Sequence, residues 1–137
     1  IDAKVDIKVV LPSDDEKAKI EKIKGLGTVE FPVSEMFSQD VGVEKIWAWE
    51  DYYGFGLGPH IPEDAAYWFT KAQVEYVDEM AEMHPFFKTL LKDPFWATVK
   101  AIDSNPDIPV HPGVARYLKE VGVWKDYWKI GKIVTGS

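Results

Sequence analysis

The run WAWEDYY, Trp47 to Tyr53, puts four large aromatic rings and two carboxylates into seven residues. Each ring can bury about 150–250 Å², worth at most roughly 4–6 kcal/mol at about 25 cal/mol per Å². The rings therefore either fill a core or line a groove in which something else is buried. The carboxylates of Glu50 and Asp51, flanked by Trp49 and Tyr52, raise a second chemistry. Apolar surroundings lift a carboxyl pKa and hold a proton donor ready. Adjacent residues of an extended chain face opposite ways, so these two diverge and paired acid–base catalysis is not expected. By the same alternation Trp47, Trp49 and Tyr53 share one face and Tyr52 takes the other. A strand with rings on both faces suits a crossing from one packed body to another, where small-molecule clefts form. Trp47, Trp49, Tyr52 and Tyr53 are the candidate ligand-lining residues.

Other reactive groupings are sparse. His60, His84 and His111 each stand within a residue of a proline, without a ligating partner at helical spacing, so no metal site is expected. His111 reads instead as a helix-entry residue whose ring satisfies backbone groups. GFGLG, Gly54 to Gly58, lacks the spacing of a dinucleotide fingerprint, and neither a nucleophile elbow nor a Ser/His/Asp arrangement appears. No cofactor is expected. With no cysteine, disulfides and thiolate chemistry are excluded. The 23 acids against 16 bases leave a net charge of −7, which argues against nucleic acid or an anionic membrane face as a partner. No apolar run approaches the roughly 18–20 residues of a membrane span. The chain opens at Ile1 without an initiator Met, so removal of an upstream signal or segment is an expectation.

The 137 residues, 46% hydrophobic, suffice for one real core. Val5, Ile7, Val9 and Leu11 alternate as in a strand ended by Pro12. Ser13 and Glu16 form a capping-box pair opening a short helix, which Gly25 closes. Thr28 to Val33 alternates again, and strand, helix and strand in that order imply a right-handed parallel crossover. Ser34 to Glu44 reads as a loop with a short turn near Glu35 to Phe37. Lys45 to Leu57 reads as a long strand bent at Gly54 and Gly56. A helix follows from Pro62, with Ala65, Phe69, Ala72, Tyr76, Met80 and Met83 as its core stripe. Helical segments are expected at Phe86 to Lys92 and Phe95 to Ala101. A rigid connection fills Ser104 to Gly113, and a helix from Pro112 presents Val114, Tyr117, Leu118 and Val121 before Gly122. The aromatic tail around Trp124, Tyr127, Trp128 and Ile130 is expected to dock across the body.

Three stretches carry a resemblance: SQDVGVEKIWAW (Ser38 to Trp49), IPEDAAYWFTKAQVEYVDEM (Ile61 to Met80) and IPVHPGVARYLKEVGVWKD (Ile108 to Asp126). Together, over roughly Thr28 to Gly131, they resemble the C-terminal half of the TAXI-type solute-binding subunits of TRAP (tripartite ATP-independent periplasmic) transporters. The most specific parts are Pro62-Glu63-Asp64 with Thr70-Lys71-Ala72, and Ile108 to Tyr117. The resemblance implies an α/β, type II periplasmic-binding-protein-like fold, of which this chain holds the C-terminal portion. In that scheme residues 1–44 end the second lobe, 45–58 form a hinge-crossing strand, and 59–137 are C-terminal helices packing on the first lobe. It further implies a periplasmic or extracytoplasmic protein that captures a small organic acid or amino acid without chemical turnover and passes it to membrane permease subunits. Gln39 falls in that family's loop near the cleft, where its amide would donate to a solute carboxylate. The family's first half is absent, so an N-terminal portion of the same protein, or a separate chain, is an expected partner.

Two other readings belong beside this one. A sensory or protein-interaction module with the same fold would use the rings as a contact patch. A glycan-active enzyme would use them as a sugar platform beside Glu50.

Overall fold

The structure is a computed structural model and describes residues 5–52 and 56–134. It is a mixed α/β chain that divides into two compact units, residues 1–51 and 52–137.

In the first unit the only sheet among the described residues has two strands, β1 (Gly27–Pro32) and β2 (Lys45–Glu50), paired antiparallel. Val29 stands opposite Ala48 and Phe31 opposite Ile46, while Thr28 faces Trp49 and Glu30 faces Trp47. Opposed residues share a side of a sheet. One side is therefore Val29, Phe31, Ile46 and Ala48, and the other carries Trp47 and Trp49. The expected parallel crossover is not formed. Residues 5–11 take up no regular strand: Val9 N–H donates to Val41 O at 3.1 Å, but they join no ladder. β1 instead pairs with the next extended segment in sequence, whose short connection costs little closure entropy. Among the described residues the expected long strand is β2 alone, ending at Glu50 opposite Gly27, where its partner runs out; the expected bend at Gly54 lies outside the described residues. Helix α1 (Asp14–Ile20) opens as its sequence predicts, with the Ser13 backbone N–H and hydroxyl both donating to the Glu16 carboxylate, at 2.8 and 2.7 Å. Val41 and Ile46 are the buried hydrophobics here.

The second unit is helical: α2 (Glu63–Glu75), α3 (Val77–Met83), a 3-10 segment (Pro85–Leu90), α4 (Trp96–Ser104) and α5 (Pro112–Glu120). The expected single helix from Pro62 is broken at Tyr76, whose backbone leaves helical geometry at φ −109°, ψ 28°. Its core stripe is corrected too. The buried residues are Ala66, Tyr67 and Thr70 in α2 and Ala81 in α3, whereas Met83 is 82% exposed. The cause is Gly113. A side chain there would collide with the Glu63 carbonyl, the Tyr67 nitrogen and the Ala66 Cβ, so α5 crosses directly over that face of α2 and decides which side is covered. From α5 the core gains Ala115, Tyr117 and Leu118. The tail docks through paired bonds at Val110, which donates to Lys129 O and accepts from Gly131 N, both at 2.8 Å. Trp128 is buried there, while Tyr127 and Ile130 stay exposed.

Candidate functional site

In the first unit a cavity of about 560 Å³ opens between Val10–Pro12, α1 and β2, floored by Trp47, Ala48 and Trp49. Its other walls are Leu11, Pro12, Ile20 and the stem of Glu16. Alternation along β2 sets both indoles on one side. Trp49 is left 62% exposed at the lip, although a ring of that size is ordinarily worth burying. The Lys17 ammonium of α1 is not in the lining but lies 5.9 Å from the centre of the Trp47 ring, and it pairs with the fully exposed Asp14 at 3.6 Å, an ion pair of little worth at the surface. Glu16 is committed to the cap. Its hydrogen bonds from the Ser13 hydroxyl and backbone hold its carboxyl below the ordinary range, so it stays anionic and does not act as a proton donor at neutral pH. An apolar, two-ring platform beside a cation fits a solute with a hydrophobic body and a carboxylate.

The structure brings together only part of the predicted set. Trp47 and Trp49 share the cavity. Gln39 is not among its lining residues, and its amide donates to Val5 O at 3.3 Å. Tyr52 belongs to the second unit, where it meets Trp96 edge-on at 6.0 Å. Tyr53 lies outside the described residues. Lys17 was missed by sequence reading; the signal available was its place in a short capped helix that follows directly on Val10–Pro12.

The residues that carry the family resemblance meet each other. His111 stands at the N-cap of α5, where Nδ1 accepts from Gly113 N–H at 3.1 Å and Nε2 lies 3.0 Å from Ile61 O. With Nδ1 an acceptor, Nε2 carries the proton and donates, so both ring nitrogens satisfy backbone, as the sequence predicts. Arg116 pairs with Glu63 at 3.1 Å and Asp64 at 2.9 Å, and its guanidinium sits 4.1 Å from the centre of the Tyr67 ring. Tyr67 in turn donates to Glu120 at 2.7 Å. The Pro62–Asp64 and His111–Tyr117 stretches are thus two sides of one helix–helix joint. Among the described residues no three acidic or histidine side chains converge as metal ligands, and no helix is long and apolar enough to cross a membrane.

Comparison with known proteins finds no matching family model, no matching curated protein and no matching solved structure.

Proposed function

We propose that this chain is the C-terminal part of an extracytoplasmic solute-binding protein of the TAXI type, with a type II periplasmic-binding-protein-like fold. It captures a small organic acid or amino acid without altering it, for delivery to TRAP-type permease subunits. The remaining wall of the site comes from an N-terminal portion of the same protein or a separate chain. The observation that carries this reading is the exposed Trp49 beside Trp47, on an apolar cavity with the Lys17 ammonium at hand.

Micromolar capture requires about −8 kcal/mol, within reach of two stacked rings and one carboxylate–ammonium pair after binding costs. Isothermal titration with a panel of organic acids and amino acids tests it. Saturable binding of at least one carboxylate is expected, weakened about tenfold or more by Trp49→Ala and severalfold by Lys17→Gln. Absence of binding across the panel, or affinities unmoved by both substitutions, refutes this assignment.

A further inference from the structure

The second unit holds a cavity of its own, about 570 Å³, between the outer face of α2, the 3-10 segment and α4. Its walls include Phe69, Phe86, Leu90 and Ile102. Phe69 and Phe86 remain 39% and 43% exposed, and of the stripe that sequence periodicity assigns to the core, Phe69 and Met80 border this opening instead.

Two properties of the lining define what fits. First, among the described residues no Asp, Glu, Lys or Arg lines it, in a chain that is 28% charged. The one ionisable lining residue, His111, has both ring nitrogens committed to backbone. A charged guest would lose its hydration with no counter-charge in return. Second, the wall is not wholly apolar. The side chains of Gln73, Thr98 and Asn105 line it, and none of the three makes a hydrogen bond among the described residues. Thr70, on the same wall, shows the usual alternative by donating back to Ala66 O at 2.8 Å, and Thr98 forgoes it. Asn105 Oδ1 is sealed from solvent without a partner and so stands behind the wall rather than in the hollow, which leaves Gln73 and Thr98 as the polar groups a guest could meet. Convergent polar groups in an apolar hollow of this size are the pattern of a ligand pocket rather than of a packing fault.

We infer that this cavity is a second binding site, for an uncharged small molecule with an apolar body and a hydroxyl or amide that pairs with Thr98 and Gln73. It is separate from the Trp47–Trp49 cavity and takes the opposite class of ligand, neutral rather than carboxylate.

The test uses N-phenyl-1-naphthylamine, a neutral probe that fluoresces on entering apolar sites, with 1-octanol and octanoate as competitors of equal chain length. Saturable probe binding is expected, displaced by 1-octanol at a concentration at least tenfold lower than octanoate requires at pH 7. Thr98→Val should weaken 1-octanol about threefold or more, the range of one hydrogen bond to an uncharged group. Ala101→Trp, which fills the hollow, should abolish probe binding with the circular dichroism unchanged. Trp49→Ala should leave all of this unaltered, so failure of the first site and of this one are told apart. No saturable probe binding, equal displacement by octanoate, or probe binding that disappears with Trp49→Ala overturns the inference. The wild-type competition decides even where a cavity variant does not fold. Loss of probe binding as protein concentration rises would identify a second copy of the chain as the occupant, and would also overturn it.

Discussion

Replacing Asp103 should release the tail of the second unit. Asp103 lies in the last turn of α4, and its carboxylate accepts from the Lys125 ammonium, from the Tyr127 hydroxyl at 2.6 Å and from Trp128 Nε1 at 2.8 Å. The donors differ in value because their exposure differs. Trp128 is 4% exposed, so removing its acceptor strands a buried N–H at a cost of about 1–3 kcal/mol. Tyr127 is 60% exposed and water replaces its bond. Lys125 is a half-exposed partner in a pair worth about 0.2–1 kcal/mol. Asp103→Ala should therefore cost about 1–4 kcal/mol. At about 4 °C per kcal/mol for a chain of this size, Tm falls by roughly 4–16 °C. Asp103→Asn keeps an acceptor for Trp128 and should cost about 1 kcal/mol. Acid sharpens the test. Burial raises the Asp103 pKa most as a single contribution, but the hydrogen bonds from Lys125, Tyr127 and Trp128 and the Lys125 charge together outweigh it, holding the carboxyl below its ordinary value. A depressed folded pKa contributes stability that is present above the unfolded value, about 3.9, and lost as pH falls through the folded one. Melting by circular dichroism should show a constant gap between wild type and Asp103→Asn from about pH 7 to 5, closing below about pH 4. A Tm for Asp103→Ala within about 2 °C of wild type, or a gap that widens in acid, refutes the reasoning.

Two further substitutions test the α2–α5 joint. Gly113→Ala places a methyl against backbone of α2, which cannot rotate away, so the loss should exceed the roughly 1–3 kcal/mol usual for overpacking; a cooperative melt within about 4 °C of wild type would refute the close approach. His111→Ala removes the cap on Gly113 and unpairs Ile61 O, costing about 2–3 kcal/mol in denaturant unfolding, with a midpoint equal to wild type as the refuting result.

Local chemistry was legible in the sequence; covering was not. The capping pair at Ser13 and Glu16, the His111 cap, the helix from Pro112 and its exit at Gly122, where φ is +74°, each depend on neighbours within a few residues. The strand partner of β1 and the buried side of α2 depend on segments distant in sequence. Val29 and Phe31 alternate inward in either a parallel or an antiparallel ladder, so periodicity named the face and not the neighbour. On α2 the apolar positions wrap far enough round the helix that Phe69 and Ala66 are equally good core candidates by type. Only Gly113, through its missing side chain, selects the Ala66 side. The site divides in the same way. Trp47 and Trp49 share a cavity because they are two apart on a strand, whereas Lys17 comes to the Trp47 ring through the tertiary placement of α1.

The joint also bears on what the family likeness can carry. Pro62, Glu63, Asp64, His111, Gly113 and Arg116 hold α2 and α5 together through a cap, a close approach and an ion pair, and none of them lines the Trp47–Trp49 cavity. A chain with the same joint and other residues at positions 17, 47 and 49 would keep the helices crossed while changing the solute. A likeness resting on the joint is therefore a likeness of architecture, and under the proposed function the choice of solute would rest on the two indoles and the Lys17 ammonium. Damage at the two places should show in different measurements: joint variants lose stability and bind normally while folded, whereas variants of Trp49 and Lys17 stay stable and lose affinity. A joint variant that remained fully folded and yet lost carboxylate binding would mean that the joint itself takes part in the site.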